Sequence, residues 1–372
     1  MLHLGKFYPP HAGGMETHLH ALATRQARSN PVSVIVANHV NSNESTWMEG
    51  VSITRVARIG SIASMPVCPS LSAAIRRTPA ELVHVHMPNP GAAFALLKSG
   101  HPGKIIVTHH ADTLGRRVLR RLSDPFVNRV MQRASRIIAT STRYLNSSDE
   151  LRPYLDKCRI IPLGIDLNSA AISDAALGMN VAREFGEKLI LSVGRLVSYK
   201  GFDVLIRAMR FVDGKLILIG SGPERDALGQ LAAAEGVSGK IAMLGKVDDL
   251  KPYFASASLF VLPSVTRAEA FGMVQLEAMA AGLPIVNTDI DSAVPEVSID
   301  GKTGITVPPR DVAALASAIT VLLKDKELSE RFGAAAKARV TEQFGADLMA
   351  ERTMRLYSEL FAPGSDSGTR IS

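Results

Sequence analysis

Two glutamates, Glu269 and Glu277, stand eight positions apart in the stretch EAFGMVQLEAM, with Phe271, Gly272 and Met273 between them. Directly before it runs VLPSVTRA, an apolar segment closed by Pro263 and Ser264. That order reads as a buried strand turning into a helix, with Glu269 in the loop and Glu277 inside the helix. Eight helical residues cover about 12 Å of axis. Two carboxylates so placed are too far apart for an acid–base dyad on one atom. They suit another task, accepting hydrogen bonds from hydroxyls at opposite ends of one elongated ligand. A sugar nucleotide has that form: hydroxyls on the sugar, hydroxyls on the ribose and a diphosphate between. Taken alone, Glu277 would read first as a helix-surface glutamate.

Charges for the diphosphate stand elsewhere. In VGRLVSYKGFD (193–203), Arg195 and Lys200 follow an apolar run and precede a helical one. Two cations beside a helix N-terminus suit phosphate oxygens, although a solvated surface pair has the same pattern. In PPHAGGMETH (9–18), Gly13 and Gly14 open a helix, where backbone amides can cradle a phosphate or form a plain tight turn. Gly220 and Gly222 in LIGSGPERDAL lack the full G-x-G-x-x-G spacing, and Pro223 reads as the first residue of a helix. A bare turn is the preferred reading there.

His84 and His86 lie on one face of a strand, and His109 and His110 end another. Adjacent strand residues point to opposite faces, and the sequence shows no further His or Cys cluster to complete a ligand set. No metal is therefore expected, and one histidine of THHAD (108–112) is expected to face the ligand. Asp289 and Asp291 read as loop polarity after a strand.

The elements that would position these residues are legible in the apolar runs. In the second half, KLILSVG (188–194), KLILIGSGP (215–223), IAMLG (241–245), SLFVLPS (258–264), PIVNT (284–288) and GITVPP (304–309) alternate with helices such as 201–212 and 223–236. Strands apolar on both faces with crossover helices mean a doubly wound parallel sheet. The first half repeats the scheme with strands at 3–7, 31–37, 82–86, 103–110 and 135–141, a helix at 14–28, and CRIIPLGID (158–166) closing the domain. The fold class is α/β, with two Rossmann-like domains facing across a cleft. Their expected extents are 1–167 and 168–345, with the connection inside 167–187. A C-terminal helix over 346–363 is expected to pack back on the first domain, followed by a disordered tail at 364–372. In such sheets ligands sit at the carboxyl ends of the strands.

Composition narrows the function. The chain has 372 residues and 46% hydrophobic content, enough for two domain cores. Two cysteines, Cys68 and Cys158, make no disulfide framework, which points to a reducing compartment. No signal peptide or membrane-spanning run is evident. The net charge is +7, unevenly spread: the first 166 residues hold 20 Lys/Arg against 10 Asp/Glu and all ten histidines. A basic half suggests anionic partners. Residues 116–136 carry seven arginines, with Leu119, Leu122, Phe126 and Val130 at helical spacing. That pattern reads as a membrane-surface helix or as a solvated helix packed on its domain. Pro125 interrupts it, so two short helices are expected. Aromatics are only 5%, against nucleic-acid binding. The missing dinucleotide fingerprint argues against an oxidoreductase, and the intact acidic and basic set against a non-catalytic binder.

The ordered motifs FYPPHAGGMETH, THHAD, IIPLGID, SVGRLVSYKGFD, LIGSGPE and PSVTRAEAFGMVQLEAMAAGLPIV together resemble glycosyltransferase family 4, retaining enzymes of the GT-B fold. The details look most like bacterial O-antigen and exopolysaccharide enzymes, often mannosyltransferases. The resemblance implies that Glu269 holds donor-sugar hydroxyls with backbone amides of Phe271, Gly272 and Met273. Glu277 would hold the ribose, and Lys246 and Val247 would meet the base through their backbone. Arg195 and Lys200 would neutralise the departing diphosphate, with Gly14 touching the distal phosphate. His110 matches the family's donor-sugar histidine better than His109, which stands where the family has an aromatic residue. The implied donor is GDP-mannose, or a UDP-sugar as the alternative; the acceptor is a glycan or lipid-linked glycan. No metal cofactor is implied. The implied location is the cytoplasm, at the inner face of the membrane.

Overall fold

The computed structural model describes residues 1–11, 13–62, 65–113, 117–170 and 178–362, with backbone alone at 117–120 and 122. The chain divides into two compact units: Met1–Gly164 joined by the C-terminal helix Ala346–Phe361, and Ile165–Gly345. The first boundary falls three residues before the expected one. The expected tail at 364–372 and part of the expected connection, 171–177, lie outside the described residues.

The first unit is built on an eight-stranded sheet in the order β10-β9-β8-β7-β1-β2-β4-β3. Its strands are β1 (Leu2–Leu4), β2 (Val32–Ala37), β3 (Glu44–Met48), β4 (Val51–Val56), β7 (Leu82–Met87), β8 (Lys104–His109), β9 (Ala134–Ala139) and β10 (Cys158–Ile160); β5 (Gly60–Ile62) and β6 (Met65–Val67) form a separate hairpin. β7 is buried along its whole length, as a strand covered on both faces must be. The antiparallel edge strand β3 was not expected from the sequence. It is joined to β4 by Glu49 and Gly50, both at positive φ, the geometry of a two-residue hairpin turn.

The C-terminal helix closes one face of this sheet. Ala346, Met349, Ala350, Thr353, Leu356, Tyr357 and Leu360 recur at intervals of three and four and are all buried. They pack on Ala21 and Leu22 of the helix Gly14–Gln26, and on Leu82, Ile106 and Ile138. Arg25 and Arg28 clasp Asp347 at 3.2 and 2.7 Å.

The second unit carries a six-stranded parallel sheet, ordered β13-β12-β11-β14-β15-β16. The strands are β11 (Leu189–Val193), β12 (Lys215–Ile219), β13 (Ile241–Gly245), β14 (Leu259–Leu262), β15 (Ile285–Thr288) and β16 (Gly304–Val307). The sequence expected all six. The two central strands, β11 and β14, diverge into the loops that bear the candidate residues.

Some helices differ from expectation. The segment 201–212 is an α-helix only over Phe202–Ala208, then a 3-10 turn over Met209–Phe211. Pro223 does not start its helix; Glu224 is the N-cap of Arg225–Ala234. The arginine-rich segment is one helix, Arg117–Arg133, that keeps Pro125 inside rather than breaking there. Arg116 lies outside the described residues, as do the side chains of Leu119 and Leu122. Val130 is buried, whereas Phe126 is 37% exposed and meets Phe94 edge-on at 5.0 Å.

Candidate active site

In the second unit the loops after β11 and β14 lie against each other because a glycine lets their backbones close up. Gly201 has φ +68°, and a Cβ there would sit 2.1 Å from the Pro263 carbonyl oxygen. The Val265 amide donates to the Tyr199 carbonyl at 2.8 Å. This contact brings Lys200 to Glu269: Nζ lies 2.5 Å from Oε2, with each side chain only 10% exposed. Ser264 Oγ donates to the same carboxylate oxygen at 3.1 Å. A buried ion pair is stable only while both charges keep such partners.

Arg195 is exposed at the start of the same loop. Burial pushes the Tyr199 hydroxyl up, Glu269 adds to the rise, and Lys200 and Arg195 oppose it. Lys200 Nζ lies 6.0 Å from the centre of the Tyr199 ring. Gly220 and Gly222 serve packing, as the bare-turn reading expected. A Cβ on Gly220 would lie 1.8 Å from the Gly194 carbonyl oxygen, and one on Gly222 2.3 Å from that of Leu196.

Glu269 and Glu277 flank the start of the helix Met273–Ala280, with Gly272 at its N-cap in the left-handed region. Buried Phe271 packs edge-on against Phe344 at 6.2 Å. Gln275 donates to the Phe271 carbonyl at 3.1 Å, and the Ala293 amide to that of Ala270 at 2.9 Å, so this loop is tied down on two sides. Glu277 is half-buried, and among the described residues no donor or cation contacts its carboxylate. Desolvation alone pushes its carboxyl up to about 7. Lys246 and Val247 follow β13, beside the end of β12, where the Gly220 amide donates to the Gly245 carbonyl at 2.8 Å. Lys246 is exposed, 3.9 Å from Asp248.

Gly13, Gly14 and His110 belong to the first unit. Gly13 caps the helix Gly14–Gln26. The place expected to cradle a phosphate holds a carboxylate instead: a Cβ on Gly13 would meet Glu16 Oε2 at 2.3 Å. Glu16 is buried and its carboxyl is pushed up by desolvation, against its own backbone N–H and Lys6.

The expectation that no further histidines join His84 and His86 is overturned. The parallel β1–β7 register sets His3 opposite His84, and the helix Gly14–Gln26 brings His18 over the same face. His86 Nδ1 lies 3.2 Å from His110 Nε2, and His86 Nε2 lies 3.1 Å from His3 Nδ1. Within the groups His3–His84–His86 and His18–His86–His110, ligating atoms lie within 4.8 Å of one another. Yet the nitrogens of His3, His84 and His86 are all engaged, with each other, with His110, or with Gln26, Tyr357 and Thr108. A metal ion would have to break those bonds.

His109 and His110 diverge, as strand neighbours do. His109 bonds Tyr144 at 2.6 Å and Glu150 at 3.1 Å; His110 turns to His86 and His18. Both are buried. Sequence reasoning missed Tyr199, Glu16, His3, His18, Gln26 and Tyr357. Only the even spacing of His84, His86, Thr108 and His110 on adjacent strands hinted at a shared polar face.

Residues 12–169 match the family model described as Glycosyltransferase Family 4, and residues 180–339 the model described as Glycosyl transferases group 1. The chain is 32% identical to D-rhamnosyltransferase WbpZ of Pseudomonas aeruginosa over 72% of its length and 70% of the relative's. It is 27% identical to O-antigen chain mannosyltransferase C of Escherichia coli, over 97% and 98% of the two chains. It is 28% identical to the GDP-mannose-dependent alpha-(1-6)-phosphatidylinositol monomannoside mannosyltransferase of Mycobacterium tuberculosis, over 93% and 94%. Among solved structures, Anabaena HepE in complex with UDP-glucose superposes with a TM-score of 0.79 at 19% identity, covering 96% of this chain and 99% of that one.

Proposed function

From the premise that this chain belongs to the glycosyltransferases of family 4, with the GT-B fold, we propose that it transfers mannose from GDP-mannose to a glycan or lipid-linked glycan acceptor in polysaccharide biosynthesis. The buried Lys200–Glu269 pair carries the reading. A diphosphate and a sugar hydroxyl are the two partners that could replace each half of that pair without stranding a buried charge. The mannosyltransferase names of two relatives favour the sugar, and GDP-mannose dependence is part of one of those names.

The residues have these roles in the proposal. Glu269 accepts from donor-sugar hydroxyls, assisted by the amides of Phe271, Gly272 and Met273. Glu277 accepts from the ribose hydroxyls, which supply the partners its desolvated carboxylate lacks. Backbone near Lys246 and Val247 meets the base. Arg195 and Lys200 face the diphosphate, where negative charge grows as the glycosidic C–O bond breaks. The acceptor oxygen attacks from the same face, so configuration is retained, and its proton passes to the leaving phosphate. No protein nucleophile and no metal are needed. His110 holds a sugar hydroxyl, and Gly14 approaches the distal phosphate once the Glu16 carboxylate has withdrawn.

The acceptor side involves the helix Arg117–Arg133. Arg121, Arg129 and Arg133 are exposed; Arg129 and Arg133, four positions apart, are neighbours on one helix face, and Arg121 lies eight positions before Arg129. We assign that face to an anionic lipid surface, with the protein working in the cytoplasm at the inner face of the membrane. Among the described residues no helix is long and apolar enough to cross a membrane.

A second reading keeps the chemistry and changes the base. HepE was solved with UDP-glucose, so a UDP-sugar donor is the alternative. The deciding experiment incubates purified protein with GDP-mannose or UDP-sugars and a lipid-linked acceptor fraction without added metal. GDP release with an α-linked product supports the proposal. UDP release alone supports the alternative, and an inverted product or no transfer from any donor overturns both.

A further inference from the structure

Three rings of the histidine cluster in the first unit, His3, His86 and His110, form a hydrogen-bond chain. Burial lowers His3 to about 4 and His18 to about 3, and holds His84, His86 and His110 well below the usual range. Every ring is therefore neutral at pH 7, with one N–H donor and one lone pair. Along the linked rings His3, His86 and His110, fixing the proton on one fixes it on the others.

Gln26 fixes the first ring. Its Oε1 lies 2.7 Å from His3 Nε2, so His3 donates from Nε2 and keeps a lone pair on Nδ1. That lone pair accepts from His86 Nε2 at 3.1 Å. His86 Nδ1 in turn accepts from His110 Nε2 at 3.2 Å. His110 is left with its lone pair on Nδ1. His18 packs edge-on against His86 and His110, with centroids at 5.5 and 4.8 Å, and holds both ring planes.

The contact with His3 Nε2 is made by the Gln26 amide oxygen, and Gln26 Nε2 is buried with no hydrogen-bond partner. Tyr357 of the C-terminal helix lies 2.5 Å from His84 Nδ1, and His84 Nε2 lies 2.7 Å from Thr108 Oγ1, so both His84 nitrogens are engaged outside the hydrogen-bond chain.

We propose that Gln26 acts through His3 and His86 as a positioning residue for His110, holding it in the Nε2–H tautomer with Nδ1 as a hydrogen-bond acceptor. That this acceptor meets a donor-sugar hydroxyl rests on the function proposed above; the tautomer does not.

The test is long-range proton–nitrogen NMR on the full chain labelled with 15N-histidine at pH 7, with the His110 signals identified by their loss in His110→Asn. The wild type should show His110 neutral and protonated on Nε2. Gln26→Leu should move its two nitrogen shifts toward each other as the tautomers mix, and Tyr357→Phe, which removes only the contact with His84, should leave them in place. His110 protonated on Nδ1, charged, or unchanged in Gln26→Leu would overturn the proposal, as would stoichiometric zinc bound by His86 and His110 in the purified protein. If Gln26→Leu does not fold, Gln26→Asn, whose amide is one methylene shorter, takes its place. No nucleotide enters this measurement, so its failure leaves the donor assignment standing. With the assignment intact, Gln26→Leu should raise donor KM up to about tenfold, the worth of one hydrogen bond, with less change in kcat.

Discussion

Lys200 Nζ and Glu269 Oε2 meet at 2.5 Å although the residues follow different strands and stand far apart in sequence. The pair is enclosed, and Ser264 supplies the carboxylate with a further donor. Removing one member leaves the other buried and unpaired, which costs about 3–5 kcal/mol.

Lys200→Ala should therefore lose about that much stability in urea unfolding, and all transfer activity. The double change Lys200→Met with Glu269→Leu should recover most of the stability and none of the activity. Equal instability in the single and double variants would mean that the charges do not depend on each other.

Glu277 gives a pH dependence whose sign is fixed. Its carboxyl is raised to about 7 from an ordinary 4.5, so the folded protein binds the proton more tightly than the unfolded chain. Stability contributed by the protonated form is whole below about 4.5 and is lost as pH rises toward 7. Glu277→Gln should remove this slope and leave the variant more stable at pH 8 by about 2 kcal/mol, discounted for partial exposure. Nucleotide binding runs the other way. The ionised carboxylate is the better acceptor, so wild-type affinity should tighten as pH rises through 7 and the variant's should not. Calorimetric titrations across pH 6–8.5 check this.

Gly201 is required for closeness as much as for its φ. An added Cβ would collide with the Pro263 carbonyl oxygen, and the left-handed conformation strains any larger residue. Gly201→Ala should part the two loops, lower thermal stability by several degrees and abolish nucleotide binding. Gly239→Ala, where a Cβ meets nothing within 4 Å, is the matched control and should change neither.

The arginine face should bind anionic vesicles. Wild-type protein should co-sediment with vesicles containing phosphatidylglycerol, and high salt should release it. Replacing Arg121, Arg129 and Arg133 with glutamine should abolish sedimentation while nucleotide binding persists. Retention by the triple variant would assign that face to solvent.

How far the sequence disclosed this arrangement depended on how local each feature is. Strands β11 and β14 were legible because a run apolar on both faces, ended by Gly194 or Pro263, has few other readings. Glu269, Glu277, Arg195 and Lys200 were legible because they follow such runs. Strands β3 and β4 were missed: β3 is an edge strand whose ESTWM carries Trp47 76% exposed, and β4, VSITRV, lacks a continuous apolar run. The histidine chain was hidden for another reason. Strand order places His3 against His84, and a helix at the far end of the chain delivers Tyr357 to His84. Neither contact is encoded in spacing along the chain. Glu16 at the Gly13 turn is an intermediate case, since a carboxylate three residues into a helix is a familiar cap, but its burial against the glycine is a tertiary fact.

The central claim is that the Lys200–Glu269 site takes a guanosine diphosphate sugar. The most direct measurement is a thermal-shift titration of the wild type and Lys200→Ala with GDP-mannose, GDP, UDP-glucose and UDP, without metal. At a hundred times its dissociation constant a ligand stabilises by about 2.7 kcal/mol. The account predicts a shift of the wild type by GDP-mannose and GDP that is lost in Lys200→Ala. A shift by UDP ligands alone would replace the donor, and an equal GDP-mannose shift in both proteins would place the nucleotide sugar away from Lys200 and contradict the account.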